Sequence, residues 1–238
     1  IGDTVIFLPF IKALSKKFNS PISILVKENT KAEQFLYEAS YIDEILLLER
    51  DRNNNNHGGF FGSLKLINYI KKFNFDKIFI FNSSLRFHLI AKLCKIPEIY
   101  QYPLLNKTDQ HIIDTPKKFL KEKLDIDINE DPEIQINSSL VSQTKENYKI
   151  NKNNVNILLG IGGSGHTKRV PSKIFLSFID KITKVKKCKF FLATGKNVEE
   201  QMILKEILES KFKNDCVPLD DLSINEILPI IKNCNLSI

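Results

Sequence analysis

Residues 155–182, "VNILLGIGGSGHTKRVPSKIFLSFIDKI", contain the clearest signal of the fold class. This stretch begins with an apolar run over 155–159, continues into a glycine-rich turn from Gly160, and ends in a segment from Ser172 with apolar residues at helical spacing. A buried strand that a glycine turn joins to a helix is the repeating unit of α/β proteins. The stretch therefore predicts one βα unit, with the turn at the carboxyl end of its strand.

The same alternation continues along most of the chain. Short apolar runs predict strands over 22–26, 45–48, from Lys77, 155–159 and 188–193. Helical spacing of apolar residues predicts helices over 4–18, 31–39, 64–73, 85–93, 172–183, 199–212 and 224–231. Strands that alternate with helices of about ten to fifteen residues predict parallel sheets with helices on both faces.

The pattern loosens between about residues 125 and 154, which are polar and hinge-like. It therefore predicts two Rossmann-like lobes, over residues 1–140 and 150–238. The second lobe shows about three βα units and ends in "CNLSI", which resembles the start of another strand. We expect this lobe to be incomplete, and the sequence to be a fragment truncated at both ends.

The composition is that of an ordinary globular protein, with 42% hydrophobic and 26% charged residues in 238. The longest apolar runs are far shorter than the roughly 20 residues that span a bilayer. The start, at Ile1, lacks the charged and apolar regions of a signal peptide and is interpreted as cut off. Four cysteines without a C-x-x-C pair or a histidine at ligand spacing predict neither a zinc site nor disulfides, and favour a reduced, cytoplasmic setting.

The net charge of +7 lies mainly in residues 151–238, which carry 14 basic and 9 acidic residues. This excess suits an anionic ligand or an anionic membrane surface, although a lysine-rich composition accounts for it equally well. The lysine pairs lack the interleaved aromatic residues of a nucleic-acid site. We therefore expect no nucleic-acid partner.

The glycine-rich turn is the first candidate site. A glycine turn between a strand and a helix points backbone N–H groups and a positive helix end at one place, which attracts an anion such as phosphate. Tight turning alone is the competing interpretation. The candidate phosphate-binding residues are Gly162, Gly163, Ser164, Gly165 and Lys168.

Two acidic residues and one histidine are further candidates. Asp3 is interpreted either as a functional carboxylate or as the N-cap of the helix that follows it. Glu199, at a strand-to-helix turn, either binds a ribose or only interacts favourably with the positive end of the helix dipole. Of the four histidines only His166 lies inside the glycine turn, where a surface position or a phosphate contact is favoured over a role as catalytic base.

Several segments in order resemble the heptosyltransferases of glycosyltransferase family 9 over nearly the whole chain. They are "IGDTVIFLPFIKALSKKF", "FDKIFIFNSSLRFHLIAKL", "ILLGIGGSGHTKRVPSKIFLSFIDKI", "LATGKNVEEQ" and "LDDLSINEILPIIKNCNLSI". The family's K-x-W-P appears here as Lys168-Arg169-Val170-Pro171, with valine in place of tryptophan. This departure leaves open whether the sugar is heptose.

The resemblance implies a GT-B-type α/β fold and the metal-independent, inverting transfer of a heptose from an ADP-activated donor to a lipopolysaccharide core acceptor. The donor is then a substrate, and no cofactor is expected. By position, Asp3 matches the catalytic base and Lys168 a diphosphate-contacting lysine. Glu199 matches the acid near the ribose, and Arg86 is an acceptor-side candidate. Ser164 and Gly165 fall in the phosphate turn.

The expected partners are a nucleotide-sugar, a lipid-linked saccharide acceptor and, peripherally, the cytoplasmic face of the inner membrane. The family's D-[ST]-G-x-x-H segment would follow "NCNLSI", where this sequence ends. We therefore expect the chain alone to bind donor poorly or to be inactive. The alternative function is that of a non-catalytic nucleotide-binding or assembly protein on the same fold. A dehydrogenase is disfavoured because the first lobe has no G-x-G-x-x-G after a strand.

Overall fold

The structure, a computed structural model, describes residues 1–50, 55–104, 111–151, 153–162 and 170–238. The chain divides into two compact units, Ile1–Gln135 (unit 1) and Ile136–Ile238 (unit 2). All strand pairs of the described residues are parallel. The predicted α/β fold with parallel sheets is thus confirmed. In the same residues, no helix has the length and hydropathy needed to cross a bilayer.

Unit 1 consists of helices that alternate with two parallel strand pairs, β1 with β2 and β3 with β4. Its elements are α1 (Gly2–Ile6), α2 (Leu8–Phe18), β1 (Ile22–Lys27), β2 (Ile42–Leu48), α3 (Gly59–Ile70), β3 (Lys77–Ile80), α4 (Leu85–Leu93), β4 (Glu98–Gln101) and α5 (Asp114–Leu124). Helix α3 buries Leu66 and Ile70 in one core cluster with Ile80 of β3 and Ile90 of α4. This packing holds α3 and α4 against β3.

Two helix predictions for unit 1 are wrong. The helix predicted over 4–18 is divided at Phe7 into α1 and α2, because Pro9 has no N–H for an intrahelical bond and its ring clashes with the carbonyl four residues earlier. The segment predicted as a helix over 31–39 contains the short 3₁₀ turn Ala32–Gln34, and a second 3₁₀ turn, Glu28–Thr30, precedes it. Lys31, between these turns, has a left-handed φ of 51°, which interrupts a helix.

Unit 2 is a four-stranded parallel sheet with the strand order β7-β6-β5-β8. Its elements are α6 (Ser138–Asn147), β5 (Val155–Gly160), α7 (Ser172–Thr183), β6 (Cys188–Thr194), α8 (Val198–Leu208), β7 (Cys216–Asp220), α9 (Ile224–Asn233) and β8 (Leu236–Ser237). The predicted strands over 155–159 and 188–193 and the helix over 172–183 are confirmed. The chain leaves β5 through β6 to β7 and then returns to β8 on the other side of β5. The strand order therefore reverses at β5.

Candidate functional site

The turn after β5 lies where parallel α/β sheets bind ligands. Such sheets hold ligands at the carboxyl ends of the strands, at the point where the strand order reverses. In unit 2 this point is between β5 and β8, at Gly160 and the residues that follow it. The Gly160 N–H donates to the Ile238 carbonyl at 2.7 Å, and the Ile161 N–H donates to the Ala193 carbonyl at 2.9 Å. These two bonds hold the start of the turn against both neighbouring strands.

A buried carboxylate lies beside this turn. Glu200, in the first turn of α8, is 8% exposed, and its Oε2 accepts a hydrogen bond from the Gly195 N–H at 2.9 Å. A Cβ built on Gly162 would lie only 2.9 Å from Glu200 Oε2, which is closer than a real Cβ approaches. A side chain at 162 would therefore displace the Glu200 carboxylate from its present position. Gly162 and Glu200 together bring the ends of β5 and β6 into contact.

Glu199 has a different environment from its neighbour Glu200. Its backbone N–H donates to the N-cap side chain, Asn197 Oδ1, at 3.0 Å, and its own side chain is exposed. The next residue, Gln201, donates from Nε2 to the Gly195 carbonyl at 2.8 Å and to Asp220 Oδ1 at 2.5 Å. The buried acid of this turn is therefore Glu200, and the ribose role predicted for Glu199 stays a prediction.

The remaining residues of the predicted phosphate turn lie outside the described residues. Gly163, Ser164, Gly165, His166 and Lys168 belong to this segment. Helix α7 begins at Ser172, as predicted, and Pro171 is its N-cap residue with an extended φ and ψ. The described part of the site therefore consists of its two flanks, Gly160–Gly162 and α7, together with the Glu200 side.

In unit 1, the arginine predicted to contact the acceptor is partly buried at the start of α4. Arg86 Nε donates to Ser63 Oγ of α3 at 2.9 Å, and a second guanidinium nitrogen donates to the His57 carbonyl. The third nitrogen, Nη1, is buried and has no hydrogen-bond partner among the described residues. Burial, and then the neighbouring Arg50, lower the pKa of Arg86. A guanidinium remains protonated throughout the physiological range, so Arg86 holds a buried charge with one donor unused.

His57 is a buried neighbour of Arg86 that no sequence motif marks. It lies in a polar loop, yet only 8% of it is exposed, and its ring stacks on Tyr69 with the centroids 6.0 Å apart. Its Nδ1 accepts a hydrogen bond from the Glu49 N–H at 3.0 Å, which assigns the ring proton to Nε2 in the neutral form. A Cβ at Gly62 would lie 2.4 Å from the His57 carbonyl carbon, so glycine is needed for this close approach.

Asp3 lies within the first turn of α1 and is not its N-cap. The N-cap is Ile1, and α1 has no side-chain cap hydrogen bond. The capping interpretation of Asp3 is therefore wrong, because the helix begins one residue before it. The Asp3 side chain is exposed, and its backbone carbonyl accepts from the Phe7 N–H at 3.2 Å. The structure leaves this carboxylate accessible to solvent.

Within the described ranges, no group of three or more His, Cys, Asp or Glu side chains is arranged to hold a metal ion. The four cysteines are free, and burial raises the pKa of each thiol. Raised thiol pKa values disfavour the reactive thiolate form. None of these cysteines is a candidate nucleophile.

Comparison with known proteins gives similarity in structure only. No protein-family model matches the chain, and no curated protein matches it in sequence. A glycosyl transferase family 9 structure from Veillonella parvula has a TM-score of 0.78 at 18% identity, over 100% of this chain and 72% of its own. E. coli ADP-heptose lps heptosyltransferase II has 0.65 at 14%, over 98% and 75%.

An E. coli heptosyltransferase solved with ADP has a TM-score of 0.66 at 11% identity, over 99% of this chain and 77% of its own. These similarities extend over both units of the chain and agree with the resemblance that the sequence motifs predicted. At such identities they establish the fold. The chain has the GT-B glycosyltransferase fold of these solved structures.

Proposed function

We propose that the chain is an inverting glycosyltransferase that transfers a heptose, or a related sugar, from an ADP-activated donor to a lipopolysaccharide core acceptor. The observation that carries the proposal is the turn Gly160–Gly162 at the point of strand reversal in unit 2, packed against buried Glu200. The fold shared with solved heptosyltransferases, one of which was solved with ADP, supports the choice of donor.

In this proposal the donor nucleotide lies at the carboxyl ends of β5 and β6. Lys168 and the backbone N–H groups of Gly163, Ser164 and Gly165 bind its diphosphate. We assign the ribose hydroxyls to Glu200 in preference to Glu199. Glu200 is held beside Gly162 by its bond to Gly195, whereas the Glu199 side chain is exposed. A carboxylate has several acceptor sites, so Glu200 can bind the Gly195 N–H and a hydroxyl together.

In the transfer step, the acceptor hydroxyl oxygen attacks the anomeric carbon on the face opposite the diphosphate, which inverts its configuration. The bond from the anomeric carbon to the diphosphate oxygen breaks, and its electron pair leaves with ADP. Asp3 takes the hydroxyl proton. A positioned carboxylate base contributes about 10²–10⁴ in rate. Lys168 and the amino end of α7 stabilise the charge that develops on the leaving diphosphate, so we expect no divalent metal to be needed.

On the acceptor side, we propose that Arg86 binds an anionic group of the saccharide. Its Nη1 is buried without a partner among the described residues, and such a donor gains most from a charged acceptor. His57, whose carbonyl oxygen accepts from Arg86, lies beside this guanidinium.

Measuring ADP release by the full-length protein tests the proposal. With ADP-heptose and a truncated lipopolysaccharide acceptor, ADP should appear only when both are present, and EDTA should leave the rate unchanged. Binding of ADP without transfer to any acceptor would favour the alternative, a non-catalytic nucleotide-binding protein. Loss of transfer in EDTA with recovery on adding Mg²⁺ would contradict metal independence.

A further inference from the structure

Two neighbouring helices of unit 1 expose large apolar side chains. On α3, Phe60 is 74% and Phe61 78% exposed, and their rings contact each other with the centroids 5.7 Å apart. Leu64, one turn further along α3, is also exposed. Helix α4 exposes a row spaced four residues apart, which consists of Leu85, Leu89 and Leu93. We call these six side chains the α3–α4 surface.

Helices α3 and α4, which carry these apolar side chains, lie side by side. Arg86 Nε of α4 bonds to Ser63 Oγ of α3 at 2.9 Å, and near the other end the Cys94 thiol donates to the Ile67 carbonyl at 3.6 Å. The contacts advance along both helices in the same direction, so α3 and α4 run parallel. Residues four apart occupy one face of a helix, so each row faces outward along its own helix.

The chain segment that contains both helices is strongly basic. Residues 57–95, which contain both helices, carry seven Lys and Arg residues and a single acidic residue, Asp76. The exposed cations of the two helices and their carboxyl ends are Lys65, Lys71, Lys72, Lys92 and Lys95. Exposed phenylalanines surrounded by lysines suit an anionic phospholipid surface, where the rings enter the interface and the lysines meet phosphates. Lysine is depleted at protein–protein interfaces.

We infer that the α3–α4 surface docks unit 1 on an anionic phospholipid bilayer. The inference adds a binding partner, the bilayer, to the proposed function. It rests on that function in one respect, because a lipid-linked acceptor would lie in such a membrane. The docking itself needs neither donor nor acceptor. Its physical basis is the pairing of Phe60 and Phe61, which insert, with the lysines of the same two helices, which bind headgroups.

Flotation with vesicles tests the inference on the full 238-residue chain. The chain should bind phosphatidylethanolamine vesicles that contain phosphatidylglycerol and not vesicles of phosphatidylcholine alone. Since each basic residue near an anionic surface changes binding about fivefold, Lys65→Gln combined with Lys72→Gln should weaken it roughly twentyfold. Phe60→Ser combined with Phe61→Ser should weaken binding at least as much, and both changes are at exposed positions that the fold tolerates.

The matched control is Val198→Ser combined with Met202→Ser, an exposed apolar pair four residues apart on α8 of unit 2. This variant should bind vesicles as the parent does. Equal binding by the Phe60/Phe61 variant and the control, or no binding by the parent, would overturn the inference. A parent dimer that the Phe60/Phe61 substitutions dissociate in sedimentation would also overturn it, because a second copy would then cover the surface. Failure of the transfer assay leaves the vesicle result unaffected.

Discussion

The two units place opposite charges at the carboxyl ends of their strands. In unit 1, the starts of α3 and α4 enclose a guanidinium, Arg86, together with buried His57. In unit 2, β5 and β6 end in glycine turns that enclose the buried carboxylate of Glu200. Both units are parallel α/β structures, so the architecture fixes where a ligand group would lie. In our proposal the charge then decides which group binds, an anion at Arg86 in unit 1 and hydroxyl groups beside Glu200 in unit 2.

The largest expected effect comes from Asp3, which gives unit 1 the proposed catalytic base. Asp3→Asn keeps the shape of the side chain but cannot accept the hydroxyl proton, so turnover should fall about 10²-fold or more. Because Ile1 is the N-cap of α1, the substitution removes no cap. Turnover of ADP-heptose with saturating acceptor measures the effect.

The control for Asp3→Asn is that ADP affinity and thermal stability remain those of the parent. Turnover within a few-fold of the parent would remove Asp3 as the base and leave unit 1 with a binding role alone. The Asp3 test thus decides whether unit 1 contributes chemistry in addition to its positive charge.

Glu200 and Glu199 offer a matched pair for unit 2. Glu200→Gln retains an oxygen that can accept from the Gly195 N–H, yet it loses the negative charge, so affinity for ADP should fall about tenfold. Glu199→Gln removes an exposed carboxylate, and affinity should change less than about twofold. Calorimetry with ADP measures both variants. If Glu199→Gln proves the more damaging, the assignment returns to the residue predicted from the sequence.

For Arg86, the expected effect is confined to the acceptor. Arg86→Lys keeps the positive charge but cannot present three donor groups in a planar fork, so the KM for acceptor should rise about fivefold while the KM for ADP-heptose stays unchanged. Arg50→Lys is the control, because Arg50 is exposed and needs no fixed geometry. A change in the KM for ADP-heptose instead would mean that Arg86 affects binding of the donor, which would contradict its assignment to the acceptor.

The strong βα patterns of the sequence predicted the elements that surround the candidate sites. Helix α7 and strands β5 and β6 follow uninterrupted apolar patterns, and these predictions are confirmed. Strand β7, five residues long, was missed because it contains Pro218. The sheet tolerates this proline because β7 is an edge strand, paired only with β6 among the described strands.

The buried groups of the sites were harder to predict, because their positions depend on contacts between distant residues. In the sequence His57 is part of a polar loop. In the fold it is buried, with a hydrogen bond from the Glu49 N–H, ring stacking on Tyr69 and close backbone contact with Gly62. Glu200 had a local signal, since it lies three residues after the N-cap Asn197, a spacing at which a glutamate reaches back over the helix start. The prediction of Glu199 does not take this spacing into account.

The smallest expected effect concerns acid stability, which should distinguish the units through His57. Burial lowers the pKa of His57 from its ordinary 6.5, the positive charges of Arg86 and Lys65 lower it too, and Glu49 opposes them. The unfolded chain therefore takes up this proton first as the pH falls. Its contribution to stability is complete above pH 6.5 and decreases as the pH falls towards the lower folded value.

Tyrosine fluorescence can follow this loss in unit 1, because five of the six tyrosines lie there and the chain has no tryptophan. The urea midpoint of the parent should fall slightly between about pH 7.5 and about pH 5.5, and His57→Gln should reduce that fall. The decisive quantity is the change with pH, since loss of the Tyr69 stacking lowers the stability of the His57 variant at every pH. An unchanged pH dependence in His57→Gln would mean that the pKa of His57 is the same in the folded and the unfolded chain, which would contradict the lowered pKa.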